Sequence, residues 1–397
     1  GPGDRRMNRR VALAAGAAAA WAAAVAAPLL DRYVARVEAG MNPVTPGPWP
    51  APSDAALALH ATLRIADLHA DSLLFGRDLR RRGTRGHVDV PRMQAGNVAL
   101  QVFSMPTKTP KRMNIEHNTD ETDDVITLAL AKRWPRATWR SLTARALHLA
   151  AAAERFARGS NGEFRILRTG SELAAYLADR ADRPSLTATI LSIEGAHALD
   201  DDPANVDAVF DAGVRMISPS HFFDTAFGGS AHGMEQGGLT AKGREMVRRM
   251  EERGMLLDVA HASAATIDDA LALATRPVVA SHTGVKGVCD NSRNLSDAHL
   301  AGIAATGGVV GIGFWDTASG GKAPEWIARS IAYAVERIGR EHVGLGSDWD
   351  GAVEVPFDAA HLAILTDQLL RVGLDEATIR LVMGENVLRV LGQGLPA

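Results

Sequence analysis

A single cysteine, Cys289, leaves this chain of 397 residues without an intrachain disulfide and excludes the thiolate-rich zinc modules. Any metal it holds must therefore be taken by histidines and carboxylates. Charge of one sign is also missing: 43 basic and 46 acidic residues give a formal net charge of −3, which is no electrostatic footprint for nucleic acid. No Gly-rich phosphate loop follows the first apolar run, Ile65–Ala66, which counts against a dinucleotide-binding open sheet. Aromatic residues are few and Ala is heavily used, so the apolar runs are read chiefly from Val, Ile and Leu. With 46% hydrophobic residues, the length supports one large domain or two ordinary ones, with a sizeable core.

The N-terminus stands apart. A basic cluster, "MNRR" at 7–10, precedes an uncharged, mostly apolar run from Val11 to Leu30. That order reads as an export signal or as an N-terminal membrane anchor, with the rest of the chain exported to a periplasmic or other extracytoplasmic space. Residues 1–41 are assigned to this signal or anchor, and 42–59, with "NPVTPGPWPAP", to a Pro-rich linker. The remainder, 60–397, is read as one folded unit.

Within that unit, eight short apolar runs alternate with segments of helical period: "RIADLHA", "NVALQVFSM", "LTATILSIEGA", "GVRMISPSH", "GMLLDVAHAS", "RPVVASHTG", "GGVVGIGF" and "HVGLGSDWDG". Helices are expected at 239–254, ended by Gly254, and after Ser296 as N-cap. Eight strand–helix units predict an α/β fold, a (β/α)8 TIM-type barrel, with an N-terminal apolar helix. The region 107–168 is a long insertion between strands 2 and 3 that shapes the site.

Ionisable residues stand at the ends of six of these runs: His69 and Asp71, Glu194, His221, His261, His282 and Asp348. Barrel active sites gather at that rim. Alone, each is more readily a structural residue; together they suit two divalent ions a few ångströms apart, bridged by a carboxylate. His197 and His232 are close enough in sequence to support the site, and Asp350 reads as a loop brace.

These residues and their flanks resemble the membrane (renal-type) dipeptidase family, zinc peptidases of the amidohydrolase-like barrel superfamily. The resemblance spans roughly residues 60–392. It rests on "DLHADSL", "HVDVPRMQAGNVALQVFS", "SIEGAHAL", "PVVASHTGVKGVCDNSRNLSD", "GLGSDWDG" and "MGENVLRVL", in that order. It implies a dipeptidase with two Zn2+ per chain, held by His69, Asp71, His261 and His282 and bridged by Glu194 and a water or hydroxide. It further implies that Asp348 carries the proton, that His221 polarises the scissile carbonyl, and that Arg293 grips the substrate's carboxylate. A homodimer is implied as well. Departures such as "EGAH" and "SDWDG" touch no ligand, whereas "SHFFDTAFGGSAHGMEQ" leaves the substrate more open than the metal chemistry. Alternatives are a metal-dependent amidohydrolase acting on N-acyl amino acids or β-lactams, and a non-catalytic binding protein on this scaffold.

Overall fold

The computed structural model describes residues 26–397. The basic cluster and most of the apolar run therefore lie outside the described residues. Among the described ones, no helix is long and apolar enough to cross a membrane.

Nine parallel strands follow one another along the chain: β1 (Ile65–Ala70), β2 (Val98–Pro106), β3 (Phe164–Ile166), β4 (Thr187–Glu194), β5 (Val214–Ile217), β6 (Leu256–Asp258), β7 (Val278–Thr283), β8 (Val309–Ile312) and β9 (Val343–Leu345). Eight of them close a ring. β1 pairs with β2 and β9, β2 with β4, and each later strand with the next. This is the expected (β/α)8 barrel, and its eight strands coincide with the eight runs read from the sequence, β2 running one residue further to Pro106. β3 is the addition. It takes the lower part of the β4 edge, beside Thr187–Thr189, while β5 pairs higher up from Leu191.

Almost every strand position is buried, and successive residues alternate between two faces, as pleated strands require. Ala66, Leu68, Leu100, Val102, Ala188, Ile190, Met216, Leu256, Val279 and Val309 share one cluster with Val387, Leu388 and Leu391 of the C-terminal helix Asn386–Gly394. Their sequence neighbours Ile65, Phe103, Leu191, Val278 and Val310 join the larger cluster between strands and helices. The helix Ala241–Arg253 shows how local sequence makes the outer layer. Thr240 caps it through Gly243 N, Met246, Val247 and Met250 are buried, and Gly254 ends it at φ 73°. Ser296 likewise caps the helix Asp297–Ala305.

The insertion is largely helical, with Val125–Ala131 and Leu142–Arg158, and its first part, 107–124, runs along the barrel mouth. The Pro-rich segment is extended but lies against the barrel. Thr45 N donates to Val355 O (2.9 Å) and Ala352 N to Asn42 Oδ1 (2.8 Å). The helix Asp54–His60 that follows buries Ala56 and Leu59.

Candidate metal centre

Glu194 has the parity of Ala188 and Ile190, so it points into the barrel from the last position of β4. Its Oε1 lies 3.1 Å from His261 Nε2, 3.3 Å from His282 Nε2, 3.4 Å from His221 Nε2 and 3.6 Å from His69 Nε2. His69 Nε2 is in turn 3.5 Å from Asp71 Oδ1 and 3.7 Å from Asp348 Oδ1. Three overlapping ligand sets result: His69, Glu194 and His282; Glu194, His221 and His261; His69, Asp71 and Asp348. The sequence-predicted positions thus converge, all of them buried, and Arg293 joins them with Nη2 3.4 Å from His261 Nε2.

Only His69, Glu194 and His282 lie within strands; Asp71, His221, His261 and Asp348 follow their strands by one to four residues. Two of these sit in left-handed backbone, His261 at φ 62° and Asp348 at φ 59°. Such a conformation costs a non-glycine residue about 1–3 kcal/mol and turns its side chain back over the barrel mouth. Gly351 makes room for it, since a Cβ there would stand 2.0 Å from Asp348 Oδ1.

The surrounding hydrogen bonds decide which ring nitrogen each histidine offers. Ser281 Oγ donates to Asp258 Oδ2 (2.6 Å), which leaves its lone pairs for His282 Nδ1 (2.9 Å) and His69 Nδ1 (3.4 Å). On the far side, His232 Nδ1 donates to Ile115 O (2.6 Å), so its Nε2 accepts from His261 Nδ1 (3.1 Å). All three imidazoles therefore carry a proton on Nδ1 and turn Nε2 towards Glu194, and on His69 a divalent ion would take the place of a second proton. A metal ligand needs that tautomer. His232 was singled out in the sequence; Ser281 and Asp258 were not, although a carboxylate ending "LLD" was a readable signal. His197 does not reach the centre: it packs on Phe223, with both ring nitrogens unpartnered.

The electrostatics suit cations. Burial opposes a charge on His69, but the carboxylates of Glu194, Asp71 and Asp348 outweigh it and lift its pKa to about 10. Burial and the neighbouring Asp71 raise Glu194, and burial lifts Asp348 to about 8 against the pull of His69. His221, His261 and His282 are held well below their ordinary value by burial. Without a cation, then, Glu194 and Asp348 are held towards their protonated forms, and a divalent ion would displace those protons. His69 Nε2, Asp71 Oδ1 and Glu194 Oε2 are buried without hydrogen-bond partners, as ligand atoms would be. The donor set is imidazole and carboxylate without sulfur, which fits zinc or another first-row divalent ion.

A cavity of about 230 Å3 opens over the centre, lined by Asp71, Glu194, His221, His261, Arg293 and Asp348 among others. Arg293 is buried beside it, donates to His282 O (2.6 Å) and lies over Trp315, yet among the described residues no carboxylate pairs with it.

The family profile described as membrane dipeptidase (peptidase family M19) matches residues 53–394. The chain belongs to this family. Dipeptidase verJ of Clonostachys rogersoniana is 32% identical over 233 residues, which cover 57% of this chain and 59% of that protein. The chain thus spans about three fifths of the length of that relative. Among solved structures, the metallopeptidase dipeptidase AC is 26% identical with a TM-score of 0.68, over 85% of this chain and 100% of that one. A metallopeptidase from Rhodobacter sphaeroides, liganded with a phosphinate mimic of the dipeptide L-Ala-D-Ala, is 25% identical with a TM-score of 0.67, over 84% and 99%. The family match contains every residue of the centre and excludes 26–52, although that stretch is packed on the same barrel.

The His232 relay makes a prediction about the metal centre of this family member. His232→Leu removes the acceptor for His261 Nδ1 and frees that ring to turn. Zinc affinity, measured by competition with a chromogenic chelator, is expected to fall about 10- to 100-fold with the fold intact. Unchanged affinity would show that the relay does not set the ligand.

Proposed function

We propose that the chain is an exported binuclear zinc dipeptidase, with His69 and Asp71 on one ion, His261 and His282 on the other, and Glu194 bridging. The observation that carries this reading is the convergence of three imidazole Nε2 atoms on Glu194 Oε1 beside two further carboxylates. Bound divalent ions supply Lewis acidity and make a water nucleophilic near neutral pH. The chain's own groups do the rest. Arg293, buried with no carboxylate partner, offers a planar fork to the substrate's terminal carboxylate. His221, lowered to the neutral form by burial, stands over the cavity where the scissile carbonyl oxygen develops charge. Asp348 takes the proton of the attacking water and returns it to the leaving amine. The dipeptide mimic held by the R. sphaeroides relative supports a substrate of this size, and the M19 match supports the reaction class.

The test is metal content per chain together with hydrolysis of a panel of L,L and L,D dipeptides. Two zinc ions and chelator-sensitive cleavage are expected. Two metals without dipeptide cleavage would keep the hydrolase and move the substrate to N-acyl amino acids or β-lactams; no metal and no cleavage after zinc is restored would overturn the reading. Within it, Arg293→Ala leaves a charged hydrogen-bond pair unmade, worth about 1.5–3 kcal/mol. The expected loss in kcat/KM is about 10- to 100-fold, carried mostly by KM.

A further inference from the structure

The segment before residue 53 is outside the family match, yet it carries a fully buried carboxylate. Glu38 pairs with Arg77 Nε and with Arg85 Nε, each at 2.5 Å. Arg77 also reaches Asp350 Oδ2, which accepts from Ser72 Oγ (2.5 Å), while Asp350 Oδ1 accepts from His87 N (2.6 Å). Ser72 follows Asp71 and Asp350 lies two residues after Asp348, so Glu38 ties residues 26–41, which are helical, to the two loops that carry those carboxylates. A buried charge pair of this kind is costly to break and fixes one register.

That anchoring has a consequence at the barrel mouth. Beside the cavity over the metal centre is a second, smaller chamber of about 130 Å3, walled by Val34, Val37 and Met41 of the N-terminal helix and by Val125 and Leu128 of the insertion. Met41, Leu74, Phe75 and Thr109 line both spaces, so the chamber is an extension of the catalytic cavity. Among the described residues, Asp124 is the one charged group on its wall, and most of the others are apolar.

The position of the chamber selects one end of the substrate. Leu74 and Phe75 lie three and four residues after Asp71, and Met41 precedes Asn42, which is bonded to Ala352, four residues past Asp348. Arg293 grips the His282 carbonyl beside His261, on the side of the other ligand pair. A dipeptide whose carboxylate sits on Arg293 must therefore reach the chamber with its first residue. We propose that the N-terminal helix is part of the active site and that this chamber receives a bulky apolar side chain on the amino-terminal residue of the substrate. This rests on the dipeptidase reading given above.

The experiment compares kcat/KM for Leu-Ala, Ala-Leu and Ala-Ala in the zinc-loaded full chain and in two variants that fill the chamber from opposite walls, Val37→Trp and Leu128→Trp. Wild type is expected to favour Leu-Ala over Ala-Ala by about tenfold or more. Either folded variant is expected to erase that preference while holding Ala-Ala within about twofold of wild type and leaving Ala-Leu unaffected. Metal content and thermal unfolding report folding. Equal efficiency of wild type on Leu-Ala and Ala-Ala, or an unchanged ratio in the variants, would overturn the inference alone. Failure of wild type to cleave any dipeptide would overturn the functional reading and this inference with it.

Discussion

Glu194→Gln is expected to cut hydrolysis by about 10³-fold or more and to strip metal from the protein at the same time. Glu194 Oε1 is the atom on which His261, His282, His221 and His69 all converge, and its Oε2 is buried without a partner. An amide keeps the shape but removes the negative charge and one ligand oxygen. Loss of the shared carboxylate should weaken both ions at once, so bound zinc should fall well below two per chain. Lewis-acid stabilisation is worth several kcal/mol, and about 4 kcal/mol corresponds to about 10³-fold in kcat. Zinc titration and single-turnover hydrolysis check it. Two tightly bound ions in the variant, or turnover within tenfold of wild type, would remove Glu194 from its bridging role.

The route from sequence to this centre was uneven, and the reasons are physical. Strands buried on both faces read as continuous apolar runs, so "TATILSIE" and "VVASHT" are visible without any neighbour, and the polar residue that breaks each run marks the rim. β3 was not visible because three residues, Phe164–Ile166, carry no periodicity. The left-handed backbone at His261 and Asp348 was hidden for another reason: neither is Gly or Asn, and the strain is imposed by contacts distant in sequence. Ser281 escaped notice because one hydroxyl beside a histidine is common. Its role depends on Asp258, 23 residues away, taking the hydroxyl proton. The Pro-rich stretch reads as a linker, and composition alone could not place it on the barrel. Glu38, in "ARVEAG", looks like an exposed helical residue until Arg77 and Arg85 come round to bury it.

Asp348→Asn separates chemistry from metal binding, and its expected outcome differs in kind from that of Glu194. Asp348 Oδ1 lies 3.7 Å from His69 Nε2, within reach of the centre, but the carboxylates that crowd it, Asp71 and Glu194, remain when it is changed. The expected variant keeps two zinc ions and a KM within a few-fold of wild type, while kcat falls by about 10²- to 10⁴-fold, the usual contribution of a positioned general base and acid. Burial lifts the Asp348 carboxyl to about 8 in the absence of metal, against the opposing effect of His69 and with the support of Asp71. A carboxylate at this position can take a proton from the attacking water and release it to the departing amine, whereas an amide can do neither. The left-handed backbone that aims this side chain, and the bare Cα of Gly351 beneath it, are conformational costs spent on one carboxylate at the rim. A purely structural Asp348 would lose metal and stability together on substitution. Loss of turnover with metal, KM and melting temperature preserved is the signature of a proton carrier, and parallel loss of zinc would refute that role.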